Sequence, residues 1–300
     1  MCVNKLILGD NLEILKAMDR ETVDLIYLDP PFFSNRDYEV IWGDEGEVRS
    51  FQDRWAGGIE HYIAWLKERV IEMHRVLKPT GSIFLHCDWH ANAYIRVEIL
   101  DKIFGRSNFR NEIIWHYRRW TGMANTFQKL HDTIYFYSKT DTYIFNPQYT
   151  EYTEGSIDRK KSGVLHRFKK GNDPVLISDK ELDEKGVREN DVWQIPFVAP
   201  SAKERIGYPT QKPMALLERI IKCASNEGDL VLDPFMGGGT TIAVADKLNR
   251  KWIGIDQSVQ AVKVTELRLH QQTDLFVSIY SSENVETIKL KVNGVIEQTK

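Results

Sequence analysis

Two short segments carry side chains whose types and spacing suit chemistry on a nucleoside. The first is Asp29-Pro30-Pro31-Phe32, directly after the apolar run Val23–Leu28. Its prolines have no N–H and fix φ, so the turn is stiff and the carbonyl of Pro30 or Pro31 stays free to accept a hydrogen bond. Asp29 adds a second acceptor and Phe32 a flat apolar face. Two acceptors beside a stacking ring match an exocyclic amino group on a nucleobase; the plain alternative is a rigid turn after a strand. The second segment is Asp233-Pro234-Phe235-Met236-Gly237-Gly238-Gly239-Thr240-Thr241. Its glycines let a ligand lie against backbone, and the following helix offers free N–H groups. A phosphate loop would need Lys where Gly239 stands, and a dinucleotide fingerprint would need a third small residue where Ile242 stands. Asp256 ends the next strand, where a carboxylate takes two ribose hydroxyls of a cofactor without a 2′-phosphate; its alternative is a helix N-cap.

These segments need strands and helices to hold them, and the order of elements supplies both. Lys5–Leu8 reads as a strand, followed by a helix carrying Leu12, Ile14, Leu15 and Met18. Val23–Leu28 has the look of a strand buried on both faces of a parallel sheet, stopped by the two prolines. Phe33–Gly58 reads as a long loop, Ile59–Leu77 as a helix, Ser82–His86 as a strand, and Ala91–Phe104 as a helix closed by Gly105. Glu112–His116 and Thr133–Tyr137 look like a strand pair. After a change of character the regular pattern returns: helix Met214–Ser225, strand Leu230–Leu232, helix to Leu248, strand Trp252–Ile255, helix Val259–His270. This pattern predicts an α/β fold, a Rossmann-like and mostly parallel sheet with helices on both faces. The expected domains are a catalytic part over 1–140 and 203–272, an insert over 141–202, and a β-like extension over 273–300 with Asn293-Gly294 as a hairpin turn.

Composition narrows the classes. With 42% hydrophobic and 28% charged residues the chain reads as an ordinary soluble one, without a run of about 18 apolar residues or a signal-peptide pattern, so the expected location is cytoplasmic and no membrane is implied. Cys2, Cys87 and Cys223 show no CxxC spacing, so neither a disulfide framework nor a metal site is suggested. A net charge of -3 excludes nucleic-acid binding by bulk positive charge. Contact with nucleic acid must be local, and two stretches offer it. One is Arg106–Trp120, with Arg118 and Arg119. The other is Arg159–Lys170, with Lys160, Lys161, Arg167, Lys169 and Lys170 among six Lys or Arg in twelve residues. Solvated surface is the alternative for both.

Asp29-Pro30-Pro31-Phe32 after an apolar strand, DPFMGGGTT from Asp233, and YPTQKP from Tyr208 together resemble the amino-group DNA methyltransferases that use S-adenosylmethionine. The tetrad precedes the glycine turn, an order similar to the β class of that family. LKPTGSIFLHCD, FGRSNFRNEIIWHY and KWIGIDQS extend the likeness from about Lys5 to His270, leaving the insert and the tail uncovered. The resemblance implies catalysis by Asp29, Pro30, Pro31 and Phe32 on a base flipped out of double-stranded DNA and stacked on Phe32. It implies that Asp233, Phe235, Gly237, Gly239 and Thr240 lie along the cofactor's methionine part and Asp256 holds its ribose. Asp10 would be near its adenine, with a helix cap as the alternative, and Thr210 and Lys212 near its amino-acid end. The insert becomes a target-recognition region, and the resemblance allows a homodimer and a partner restriction endonuclease. Asp at position 29 favours adenine N6 over cytosine N4, for which family members more often carry Ser. A cytosine-C5 enzyme would need a cysteine thiolate, and none of the three cysteines follows a proline. RNA as substrate stays open, whereas a nicotinamide-dependent oxidoreductase would leave the tetrad without a role.

Overall fold

The structure, a computed structural model, describes residues 4–33, 37–42, 47–52, 57–119, 125–152, 166–168, 174–176, 186–208, 210–273, 285–290 and 296–298. The chain divides into a large unit, Met1–Phe145 with Asp191–Lys300, and a small one, Asn146–Asn190.

The large unit begins with β1 (Asn4–Leu8), α1 (Asn11–Ala17), β2 (Val23–Leu28), β3 (Asp37–Trp42), β4 (Glu47–Gln52), α2 (Gly58–Val76) and β5 (Leu77–Cys87). A helical stretch over residues 92–103 (α3), β6 (Phe109–His116) and β7 (His131–Ser138) follow. The small unit holds two antiparallel pairs: β8 (Tyr149–Thr150) with β11 (Val187–Arg188), and β9 (His166–Phe168) with β10 (Pro174–Leu176). The large unit resumes with β12 (Val192–Gln194), α4 (Met214–Ala224), β13 (Leu230–Asp233), α5 (Thr240–Lys247), β14 (Lys251–Asp256), α6 (Val259–Thr273), β15 (Val285–Leu290) and β16 (Ile296–Gln298).

Among the described residues ten strands form one sheet, ordered β12-β6-β7-β5-β2-β13-β14-β1-β15-β16. From β5 through β15 every neighbouring pair is parallel; β7 is antiparallel to both β5 and β6, and β16 to β15. Alternate residues of the central strands face opposite layers. Ile26, Leu28, Ile83 and Leu85 meet α1, α2 and α3, whereas Leu25, Tyr27, Phe84 and Val231 meet α4 and α5. Side chains such as Leu25, Ile26 and Leu28 are fully buried, each stabilising the sheet by about 1.5–3 kcal/mol relative to exposure. The buried Asp24 of β2 is satisfied by Lys78 Nζ at 2.8 Å and by the Leu230 N–H at 2.9 Å.

At the centre, β2 crosses over through α2 to β5 on one side, and β13 through α5 to β14 on the other. The connections therefore diverge from the carboxyl ends of β2 and β13. That crevice is where an open α/β sheet receives its ligand.

The fold class is the expected one, and three local readings need correction. Residues 33–58 are not a plain loop. β3 and β4 pair antiparallel from Asp37↔Gln52 to Trp42↔Glu47; β3 alternates, with Tyr38, Val40 and Trp42 at every second position, but β4 shows no apolar period. The helix expected to run to Leu77 stops at Val76, because Leu77 is already paired with Val23 as the start of an 11-residue strand that passes through Pro79 and Gly81. In α3, Ile95–Leu100 is wound as a π-helix. Asn293 and Gly294 lie outside the described residues, although the strands flanking them, β15 and β16, are antiparallel partners. No described helix is long and apolar enough to cross a membrane.

Candidate active site

A cleft of about 460 Å³ opens at the carboxyl ends of β2, β13 and β14. Its walls bring together Asp29, Pro30, Pro31 and Phe32 after β2, Thr210 and Lys212 before α4, and Asp233, Phe235, Gly237, Thr240 and Asp256 around the glycine turn. That size falls within the roughly 300–1,000 Å³ of small-molecule sites.

The glycine turn is shaped by backbone needs. Gly237 and Gly239 have φ of 48° and 67°, a left-handed conformation that side chains other than glycine's adopt at a cost. A Cβ on Gly239 would lie 2.4 Å from Thr265 of α6, so the helix leaves no room for one. Arg268 of α6, also buried, donates to the Gly238 carbonyl and to Thr240 Oγ1, both at 2.8 Å. Asp256 accepts from the Gly237 N–H at 2.9 Å and from the Ser258 N–H at 2.8 Å. The second bond is of the kind a helix-starting Asp makes; the Gln257 N–H also bonds the carboxylate, whose roughly four lone-pair sites still leave room for a ligand hydroxyl. Asp233 accepts from the Phe235 N–H at 3.0 Å.

Three carboxylates, Asp29, Asp233 and Asp256, share this cleft. Burial, reinforced by the negative charges of Asp29 and Asp256, pushes the Asp233 carboxyl up to about 7. Burial likewise raises Asp256 to about 6, against the opposing backbone N–H bonds. A cationic ligand would offset this crowding of negative charge, so the donor set fits one whose reactive centre is a sulfonium.

Asp29 lies between two neighbours. Its Oδ2 accepts from Lys212 Nζ, whereas Oδ1 is buried without a hydrogen-bond partner. An unpaired buried acceptor costs free energy until a donor arrives. The Lys212 ammonium also lies 5.1 Å from the centre of the Phe32 ring. Beneath the tetrad, Tyr27 Oη is 2.9 Å from Nδ1 of the fully buried His86, and His86 Nε2 is 3.2 Å from Asp132 Oδ2. Tyr117 donates to the other oxygen of Asp132 at 3.1 Å. Although burial opposes it, the hydrogen bond from His86 keeps the Asp132 carboxyl below its usual range, so it serves as an acceptor. The neutral tautomer consistent with this carries its proton on Nε2 and accepts the Tyr27 O–H at Nδ1. The Phe32 ring sits 5.5 Å from the His86 ring.

Asp10 does not line the cleft. It caps α1 by accepting from the Leu12 N–H at 2.8 Å, pairs with Arg69 at 3.0 Å, and accepts from Gln257, which does line it. Gly239 shapes the turn from behind. Arg118 and Arg119 are exposed just past the carboxyl end of β6, Arg119 lying 5.9 Å from the Tyr117 ring. Lys160, Lys161, Lys169 and Lys170, and the side chain of Arg167, lie outside the described residues.

The family model described as DNA methylase, of the N6/N4 type, matches residues 23–267. The chain belongs to this DNA methylase family. It is 31% identical over 276 residues to the type II methyltransferase M.HpaI of Haemophilus parainfluenzae, covering 92% of this chain and 77% of that one. It is 30% identical over 292 residues to the DNA adenine methyltransferase YhdJ of Escherichia coli K12, covering 95% and 87%. Its fold matches that of the PvuII DNA methyltransferase, a cytosine-N4-specific enzyme, with a TM-score of 0.61 at 18% identity over 93% and 89% of the two chains. The family expected from the motifs is thus the one found, and the methyl donor of these DNA methylases is S-adenosylmethionine.

Sequence reasoning about this methylase missed the second layer of its site. His86, Asp132 and Tyr117 come from β5, β7 and the residue after β6, and only strand pairing brings them under Asp29. The available signal was a polar residue, His86, inside an otherwise apolar strand run. Trp65 of α2 was missed as well; it lines the cleft with its ring 5.8 Å from Phe235 and the Arg69 guanidinium 4.2 Å from its centroid.

Proposed function

We propose that this DNA methyltransferase transfers a methyl group to adenine N6 of a base flipped out of double-stranded DNA. The reading rests above all on Asp29 Oδ1, a buried acceptor without a partner at the wall of the cleft. An exocyclic amine is a poor nucleophile because its lone pair is delocalised into the ring. Asp29 Oδ1 and a prolyl carbonyl, that of Pro30 or Pro31, would accept its two N–H groups in a tetrahedral arrangement, directing the lone pair toward the methyl group. Phe32 would stack on the base and hold it in line. Bound S-adenosylmethionine supplies an electrophilic methyl on a cationic sulfur; Asp233, Phe235, Gly237, Gly239 and Thr240 would flank its methionine part, with Thr210 nearby and Asp256 on the ribose hydroxyls. Once methylated, the amine would carry a surplus proton, which would leave toward Asp29 or water.

Adenine is favoured by Asp at position 29, and the 30% identity to a protein named as an adenine methyltransferase points the same way. We assign reading of the target sequence to residues 141–202, with Arg118, Arg119, Lys160, Lys161, Arg167, Lys169 and Lys170 contacting phosphates. A homodimer and a cognate endonuclease are the partners this reading allows.

The test is nucleoside analysis of DNA from a host free of endogenous methylation, expressing the chain or its Asp29→Ala variant. N6-methyladenine from the wild type alone is expected, with cofactor affinity of the variant nearly intact. N4-methylcytosine without N6-methyladenine would overturn the choice of base, and activity surviving in the variant would overturn the acceptor role.

A further inference from the structure

We propose that Lys212 is a positioning residue for methyl transfer, tying down Oδ2 of Asp29 so that Oδ1 is presented to the base; this rests on the acceptor role proposed for Asp29. The pair joins segments 183 residues apart, with only 13% and 17% of the two side chains exposed, so solvent and salt screen it little. The backbone of Lys212 is itself fixed. Its carbonyl accepts from Thr240 Oγ1 at 3.2 Å; the neighbouring Gln211 side chain donates to the Glu204 carbonyl at 2.6 Å and accepts from the Ile206 N–H at 2.9 Å. Two residues on, the Met214 N–H is capped by Glu204 at 3.0 Å. Lys212 therefore extends from a rigid strut beside the cofactor turn to the catalytic carboxylate.

With Oδ2 held, the carboxylate has one way to face, and two features keep Oδ1 free. Its nearest ring nitrogen, His86 Nδ1, is 3.9 Å away and already engaged by Tyr27 at 2.9 Å. The Lys212 ammonium lies over the Phe32 ring as well, so a single cation orders both the acceptor and the stacking face of the tetrad. Released from Lys212, Asp29 would be free to rotate its open oxygen away from the amine.

The experiment compares wild type, Lys212→Met and Lys212→Arg by calorimetric titration with S-adenosylmethionine and by single-turnover methylation of duplex DNA at saturating cofactor. Loss of a charge-assisted hydrogen bond predicts a rate lowered by roughly ten- to a hundredfold in Lys212→Met, with the cofactor Kd within about threefold of wild type. Lys212→Arg should recover part of the rate. A Kd weakened tenfold or more with the saturated rate unchanged would overturn the proposal and make Lys212 a cofactor ligand. Absence of methyl transfer by the wild type would instead overturn the proposed function, which separates the two failures.

Discussion

The crowding of carboxylates in the cleft predicts that cofactor binding is coupled to proton release. Asp233 is held up at about 7 by burial and by Asp29 and Asp256, so at neutral pH about half of it carries a proton in the free enzyme. A cation in the cleft favours the ionised form, so binding expels that proton. Apparent affinity then follows the ionised fraction, which for a group near 7 rises from about 0.1 at pH 6 to about 0.9 at pH 8, close to a tenfold gain. Asp256, raised to about 6, adds at most about another factor of two at pH 6. The direction is fixed by the upward shift: low pH protonates Asp233 and weakens binding, and higher pH strengthens it until the group is fully ionised. Calorimetric titration with S-adenosylmethionine, in buffers of different ionisation enthalpy, reads both the affinity and the protons released. Asp233→Asn keeps an acceptor for the Phe235 N–H while removing the titration, so its profile provides the baseline. Subtracting it also removes the ligand's own α-amino group, which titrates at about 8. A wild-type affinity that is flat from pH 6 to 8, or that changes in parallel with Asp233→Asn, would refute the reasoning.

Gly239→Ala should weaken S-adenosylmethionine binding by more than about tenfold, since a left-handed backbone alone costs about 1–2 kcal/mol and the new Cβ meets Thr265. Adding Thr265→Ala should restore part of the affinity, the clash being relieved while the backbone cost persists; unchanged binding by the single variant would show that the turn tolerates a side chain. His86→Ala leaves Tyr27 Oη and Asp132 Oδ2 without their present partner in a buried site, together with a cavity. It should cost about 2–4 kcal/mol in urea unfolding. A cost below about 0.5 kcal/mol would mean that the network is dispensable to the fold.

What the sequence disclosed, and what it concealed, follows from how far apart the interacting residues lie. The tetrad and the glycine turn were legible because each is a local device, a strand end followed by residues with special backbone demands. The two-proline stop after Leu28 and the left-handed glycines at 237 and 239 are properties of single positions, and the alternation of buried runs with amphipathic helices carried the sheet. The hairpin of β3 and β4 escaped because only β3 alternates, with Tyr38, Val40 and Trp42 at every second position, whereas β4, Glu47–Gln52, has no apolar period to mark a partner. The support of the catalytic carboxylate was beyond local reading altogether. Asp132 meets His86 only because β7 runs antiparallel to β5 in the register Ile134↔His86. A shift of one residue would send Asp132 to the opposite face, among the side chains packed on α3. Lys212 meets Asp29 only because the crossovers diverge at β2 and β13, bringing the segment before α4 over the end of β2. The same divergence opens the crevice. In this chain the topology that creates the binding site also delivers the residues that tune it, so the acceptor and its support are encoded at different levels: one in a four-residue motif, the other in strand order and register.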